Sequence, residues 1–526
     1  MTLSEPTNIV SGSERPVRPG YTISDQAEFD SPVRIVLKLR ARTDVRPAAM
    51  RLGMKLPRER AVPDQKEFVA RFGADPRDVA TVRAFAHAFG LRVESHRAAA
   101  RIVVLTGSIS AVNRAFATDL KTFRASQGGP YRGYLGPLRL PAEMRDAVDV
   151  VAGLDDRTIA VRPPLSVPRV ASPYQIAEIA CRYGFPRMLR GDGQRIAVLQ
   201  FDGAYSQLDL DRYFGDLGTT SPRVCPISIG GYAYDDPKSA METMLDLEVL
   251  GSVAPRAELV PYFAYSTEAG WLESLTSAIH SERHAPSIIS ISHCYPESGA
   301  PGLTWVPSLL DEVDRTLAEA AWLGITVVAA AGDYGAYSWL HDGLVHAEFP
   351  ASSPFVLACG GTMFRAGDDG AESELVWQDP SHATGGGVSE HFPRPAWQAS
   401  ARVPPSLSTK FEGRGVPDVA AYADLEPGYA ILVAGAYTAG GGTSAATPLW
   451  AALFALINER LEAICRGRTV GYVTPLLYYG IGLTAAFNDI EGGGNNGYAA
   501  GPDWDPCTGW GSPNGAELLR ALTGDQ

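Results

Sequence analysis

The sequence predicts an α/β protein: a parallel sheet with helices on both faces, preceded by a small α+β domain. Three observations carry this. After residue 174, strand-length apolar runs alternate with helix-length amphipathic stretches, the pattern of a parallel sheet. Before residue 160, short strands and helices are mixed, which suits a small α+β unit. Between them, Val161–Val170 holds three prolines within eight residues, so it cannot be helical and reads as an extended linker. The expected division is a flexible tail 1–30, a first domain 31–160, a linker 161–173 and a second domain 174–526.

Each element has a local reason. The tail is polar and rich in Ser, Pro and Gly. Val33–Leu39 reads as a strand. Asp75 caps a helix whose first residue is Pro76 and which runs to Phe89. Arg101–Leu105 is a strand, Ala111–Ala117 a helix and Met144–Val151 a further helix. In the second domain the strands are Ile196–Phe201, Leu259–Phe263, Ile288–Ser292, Thr326–Ala331 and Phe355–Cys359. The helices are Met241–Val253, Trp271–His280 and Leu309–Leu323. Open α/β sheets bind ligands at the carboxyl ends of their strands, so those ends hold the candidate residues.

Composition excludes several classes. Hydrophobic residues are 45% and charged residues 20% of the chain, enough for a packed core. Apolar runs such as Ile325–Ala331 are too short to span a bilayer. Met1–Pro19 shows no secretory signal pattern. The six cysteines form no CxxC pair and are too few for a disulfide scaffold. Charge is uneven: 26 basic and 18 acidic residues in 1–165 give net +8, leaving 20 basic and 41 acidic, net −21. A basic segment can bind nucleic acid, but these arginines are scattered through helix-like patterns without aromatic clusters. Docking of the basic part on the acidic part of the same chain is the preferred reading, an attraction that weakens as carboxylates protonate.

Four places could carry chemistry. In Gly441-Gly-Thr-Ser-Ala-Ala-Thr-Pro448, Ser444 opens an apolar helical stretch, where the helix dipole favours developing negative charge. Pro448 is expected in that helix's first turn. A Gly-rich loop with a capping hydroxyl would read the same way. No histidine lies in a His-Gly-Thr context, so a histidine base of the subtilisin kind is disfavoured. Glu242 and Asp246 instead lie one helical turn apart, where two carboxylates share a proton and serve as a base best in acid. The plain alternative is a solvated acidic face, but Met241, Met244, Leu245 and Val249 interleave with the pair. Asp333 follows a strand between two glycines, as a turn residue or as an acid that donates to an oxyanion. Asp489-Ile490, Gly492–Gly497 and Gly501–Asp505 supply the carboxylates and flexible carbonyls that a calcium ion takes.

Together these residues resemble the sedolisin family of serine-carboxyl peptidases, its kumamolisin-like branch in particular, over nearly the whole chain. Gly441–Pro448 matches the nucleophile motif, Glu-x-x-Leu-Asp at 242–246 the base and its orienting acid, and Ala-Gly-Asp at Asp333 the oxyanion aspartate. Phe349–Pro354, Cys359–Thr362 and Val416–Val419 are supporting matches. The resemblance implies a subtilisin-like catalytic domain behind a ferredoxin-like activation prodomain, with self-cleavage in acid within Val161–Pro173. It implies one calcium ion on Asp489, Asp505 and the carbonyls of Ile490, Gly501 and Asp503. It also implies peptide or protein substrates, inhibition by the chain's own prodomain, a monomer with no nucleic-acid or membrane partner, and work outside the cell. Gln200 and His293 depart from the pattern, which has Glu and Trp extending the network behind the base; Tyr334 and Asp503 replace a usual Ser and Gly. These departures keep open a weakly catalytic, peptide-binding homologue.

Overall fold

A computed structural model describes residues 4–24, 32–62, 64–125, 129–159, 172–299, 305–340, 342–366 and 372–524. The expected linker and processing site, save residues 172–173, lie outside the described residues.

The first domain is built on β1 (Val33–Leu39), α1 (Pro76–Phe89), β2 (Arg92–Arg97), β3 (Ile102–Gly107), α2 (Ile109–Phe116) and β4 (Val148–Ala152). Asp75 caps α1 through a hydrogen bond from Arg77 N–H, and Gly90 closes it in the left-handed conformation. The strands form one antiparallel sheet in the order β2-β3-β1-β4, the ferredoxin-like arrangement. The expected helix Met144–Val151 is instead a single turn, Ala142–Arg145, followed by β4. Three valines within four residues, at 148, 150 and 151, favour a pleated strand, and pairing with β1 decides the matter.

Strand β1 serves two masters. Val33, Ile35, Leu37 and Leu39 pack on α1 and α2 in the domain's own core. Val36 faces the other way, into a core shared with the second domain. Period-two alternation puts Arg34 and Lys38 on that same outward face. The tail is not loose over 4–24. Asn8–Ile9 pairs with Arg139–Leu140, Thr22–Ser24 pairs with Lys121–Arg124, and buried Arg15 reaches Glu268 at 2.9 Å. Arginine and backbone contacts hold a segment whose composition suggested nothing to bury.

The second domain contains β5 (Arg195–Phe201), α3 (Met241–Val253), β6 (Glu258–Ala264), α4 (Glu268–Ile279), β7 (Ile288–Ile291), α5 (Pro307–Trp322), β8 (Thr326–Ala330), β9 (Leu357–Ala366), β10 (Glu372–Val376), β11 (Val419–Tyr422), β12 (Tyr429–Val433), β13 (Ala436–Gly440) and α6 (Thr443–Ile464). Strands β6-β5-β7-β8-β9 run parallel in that order; β11 joins β9 in parallel and β10 joins it antiparallel. Ile196 and Val198 pack with α3 and α6 on one face, Ala197 and Leu199 with α4 and α5 on the other. The strands are buried on both faces, which is why they read as continuous apolar runs.

Candidate active site

Helix α3 carries Glu242, half-buried, and Asp246, fully buried, one turn apart. Asp246 Oδ1 accepts from Ser292 Oγ at 2.7 Å, and Oδ2 accepts from Gln200 Nε2 at 2.5 Å. Gln200 is held in turn by Thr243 Oγ1, which donates to its Oε1 at 2.9 Å. Burial first, and the charge of Glu242 second, raise the Asp246 carboxyl well above the ordinary range, against the two donated bonds. The interleaved apolar residues signalled this correctly: the face turned by Asp246 is core.

Ser444 is the second residue of α6, entered through Gly442 at φ +79°, a conformation that suits glycine. Ser444 Oγ is buried and makes no hydrogen bond among the described residues. As one of the first residues of a helix, Ser444 has a backbone N–H without an intrahelical acceptor. Pro448 is not in the first turn; it is the sixth helical residue. Lacking an N–H, it leaves the Ser444 carbonyl without its partner four residues on. Ser292 Oγ lies 3.4 Å from that carbonyl. One hydroxyl thus ties the buried carboxylate on α3 to the backbone of Ser444.

Asp333 lies just past β8, after Gly332 at φ +109°. It is fully buried. Its Oδ1 accepts from Thr443 N–H at 2.7 Å and Thr443 Oγ1 at 2.8 Å, so it is fastened to the residue preceding Ser444. The structure therefore brings Ser444, Asp246 and Asp333 into one connected assembly at the carboxyl ends of β5, β7 and β8, with Glu242 a turn away. Sequence reasoning missed the roles of Thr443, Thr243 and the Ser292 side chain. Ser292 was legible from the strand-end rule; Thr243 was not, because nothing local marks a threonine as a clasp. His293 Nε2 accepts from Phe201 N–H at 3.4 Å, and its ring meets Phe201 edge-on. Buried Cys294 and the other five cysteines form no disulfide among the described residues.

In the loop expected to bind calcium, Asp503 N–H donates to Asp489 Oδ2 at 2.9 Å, bringing the two segments together. Asp503 has φ +65°, which explains why glycine is usual there. Asp505 accepts from Cys507 N–H, Thr508 N–H and Thr508 Oγ1, and burial pushes its carboxyl up to about 6. No group of three His, Cys, Asp or Glu side chains able to hold a metal occurs among the described residues. Two carboxylates, one buried without an ion-pair partner among those residues, plus backbone carbonyls still fit a hard cation.

Where the outward face of the first domain meets α4 and α5, charges are buried in pairs. Arg101 Nη2 contacts Glu312 at 2.7 Å and Glu319 at 2.8 Å; Lys38 lies 3.5 Å from Glu312 and 3.9 Å from Glu319. His280 Nε2 adds a 2.7 Å contact to Glu319, and Arg34 pairs with Glu273. Burial pulls Lys38 down to about 8 and lowers His280, whereas Lys38 and Arg101 outweigh the burial of Glu319 and hold it well below the usual range. The charge imbalance in the sequence thus has a physical destination at this interface.

A subtilisin-like sheet, a serine at a helix start beside buried carboxylates, and a basic domain docked on it define a serine-type peptidase with its activation prodomain. Residues 25–157 match the pro-kumamolisin activation domain, and residues 229–473 match the subtilase family. The chain is 41% identical over 516 residues to kumamolisin of Bacillus sp. (strain MN-32), covering 93% of this chain and 91% of that protein. Tripeptidyl-peptidase sed5 of Aspergillus fumigatus is 27% identical, covering 98% and 97%. The solved structure of Pseudomonas sedolisin, a serine-carboxyl proteinase complexed with two molecules of pseudo-iodotyrostatin, aligns with a TM-score of 0.57 at 27% identity, over 68% of this chain and 99% of that one. The chain belongs to the sedolisin family of serine-carboxyl peptidases, with kumamolisin among its relatives.

Proposed function

We propose that the protein is an acid-acting endopeptidase made as a self-processing zymogen, with Ser444 as nucleophile, Glu242 as general base, Asp246 as the acid that orients it and Asp333 as oxyanion donor. The observation that carries this reading is Asp246: fully buried, held through both oxygens by neutral donors, and raised by burial and by Glu242. A pair that shares one proton in this way offers a base without histidine.

Ser444 Oγ attacks the peptide carbonyl while Glu242 takes its proton, forming a tetrahedral intermediate. The intermediate's oxyanion receives the Ser444 backbone N–H and the acid proton of Asp333. That proton belongs on Oδ2, because Oδ1 already accepts two hydrogen bonds from Thr443. The amine departs with the proton from Glu242, and water then cleaves the acyl-enzyme by the same steps in reverse. Asp489, Asp505 and the carbonyls of Ile490, Gly501 and Asp503 would hold one calcium ion, which would brace the C-terminal loop and take no part in the chemistry.

The test is an acid shift of full-length protein from neutral pH to about pH 4, beside Ser444→Ala, followed by mass spectrometry and hydrolysis of an unstructured protein. Wild type is expected to shorten by the prodomain and gain activity while the variant stays whole. If neither changes, with calcium present across acid pH, the catalytic reading fails and a peptide-binding homologue takes its place.

A further inference from the structure

We infer that Tyr205 and Tyr234, stacked on Phe263, form a subsite that receives an aromatic or large aliphatic side chain of the substrate; this rests on the peptidase reading above. Strands β5 and β6 pair in register, with Gln200 opposite Phe263. Paired residues of adjacent strands point to the same side of a sheet. Gln200 points at Asp246, so Phe263 stands beside the carboxylate assembly. Phe263 is fully buried beneath two rings, Tyr234 with centroids 4.6 Å away and Tyr205 at 6.0 Å, both nearly parallel to it. The two tyrosines are themselves half-buried and 6.0 Å apart.

The chain between Gln200 and Tyr205 runs tightly against the support of the base. A Cβ on Gly203 would lie 2.8 Å from Thr243 Oγ1 and 3.3 Å from Gln200 Oε1. Farther out, Tyr232 meets Tyr265 edge-on at 4.8 Å, and Tyr265 is 54% exposed. One aromatic group thus stands beside the carboxylates and a second pair stands at solvent past the end of the same strand.

The first domain reaches the end of the same strand. Ile159 N–H, at the end of the prodomain, donates to the carbonyl of Ser266, the residue after Tyr265, at 2.8 Å. Arg34 of the prodomain comes within 3.7 Å of a Cβ built on Gly230, near the same edge. Asp202, Asp235 and Asp236 surround Tyr232 on the rim and are exposed. The occupant is thus an extended peptide with an apolar ring or branched chain on the ledge, and the acidic rim accommodates a basic neighbour. Half-buried tyrosines suit this role because the ring faces offer rigid apolar area while the hydroxyls stay wet.

The experiment uses acid-processed wild-type protein and a fluorogenic peptide set in which each position around one scissile bond is varied among Phe, Leu, Ala and Asp. One position is expected to prefer Phe and Leu over Ala by about tenfold in kcat/KM. In Tyr205→Ala/Tyr234→Ala that preference falls to about twofold or less, and in Tyr205→Phe/Tyr234→Phe it is kept. The inference is overturned if the active wild type shows no such position, a result independent of how any variant folds. It is overturned equally if the preference survives the double alanine change. Absence of any hydrolysis by wild type sinks the peptidase reading itself, and the subsite with it.

Discussion

At the residue scale, the distinctive position is Gln200. An amide nitrogen can only donate, so it fixes Asp246 Oδ2 as an acceptor whatever the pH. Gln200→Glu can do the same only while its carboxyl is protonated. Once ionised it repels Asp246 and Glu242 and raises both. The acid limb of the kcat/KM profile, where the base loses its proton, is therefore expected to move to higher pH in Gln200→Glu; a pH-rate series checks this. Thr443→Val should act differently. It removes the hydroxyl bond to Asp333 but keeps the backbone one, so kcat falls by roughly tenfold with KM nearly constant. A comparable rise in KM instead would mean that Thr443 shapes substrate binding.

At the element scale, α3 carries the proposed base and its partner acid together with a separate structural acid. Glu248 Oε2 accepts from Leu432 N–H in the β12–β13 hairpin that leads into Gly441–Ser444, and burial pushes its carboxyl up to about 9. A carboxyl raised in the folded state contributes stability that is complete below its unfolded value near 4.5 and is lost as pH climbs towards about 9. Glu248→Gln should therefore melt higher than wild type at pH 8 and about the same at pH 4, as differential scanning calorimetry would record. Chelation is expected to lower the melting temperature through the Asp489–Asp505 loop, and added calcium to restore it. Much at this scale was legible in advance. The cap at Asp75, the run of α3 and the places of the parallel strands along the chain all follow from local patterns. What escaped was settled by partners distant in sequence: β4 became a strand because β1 was there to pair with it. Pro448 lies inside α6 because the vacant Ser444 carbonyl faces the hydroxyl of Ser292. The residues of the proposed catalytic set stood out in the sequence, but the clasps on them did not, since a threonine or serine acquires that role only through the fold.

At the scale of the whole molecule, the proposed acid trigger falls on the prodomain interface. His280 is lowered chiefly by burial, so docking opposes its protonation and the complex weakens as pH falls below about 6.5. Glu319 is held low by Lys38 and Arg101, so its contribution is lost as pH falls below its ordinary value near 4.5. Both signs favour release in acid. Glu319→Gln leaves Lys38 and Arg101 with one carboxylate fewer in a buried site. It is expected to process itself at higher pH than wild type, by about one unit, in a timed series read by mass spectrometry. Unchanged processing would place the acid trigger elsewhere on the interface.

Strand β1, with one set of alternate residues in the prodomain's own core and the other against the enzyme, has a consequence for biogenesis. Sliding it by a single residue would bury Lys38 at home and send Leu37 abroad, so the docking surface exists only after that domain has folded correctly by itself. Ribosomes deliver the N-terminal domain first. A cell making this chain would hold a finished restraint before it holds a finished hydrolase, and a newborn chain that misfolds early would lack the restraint it needs later.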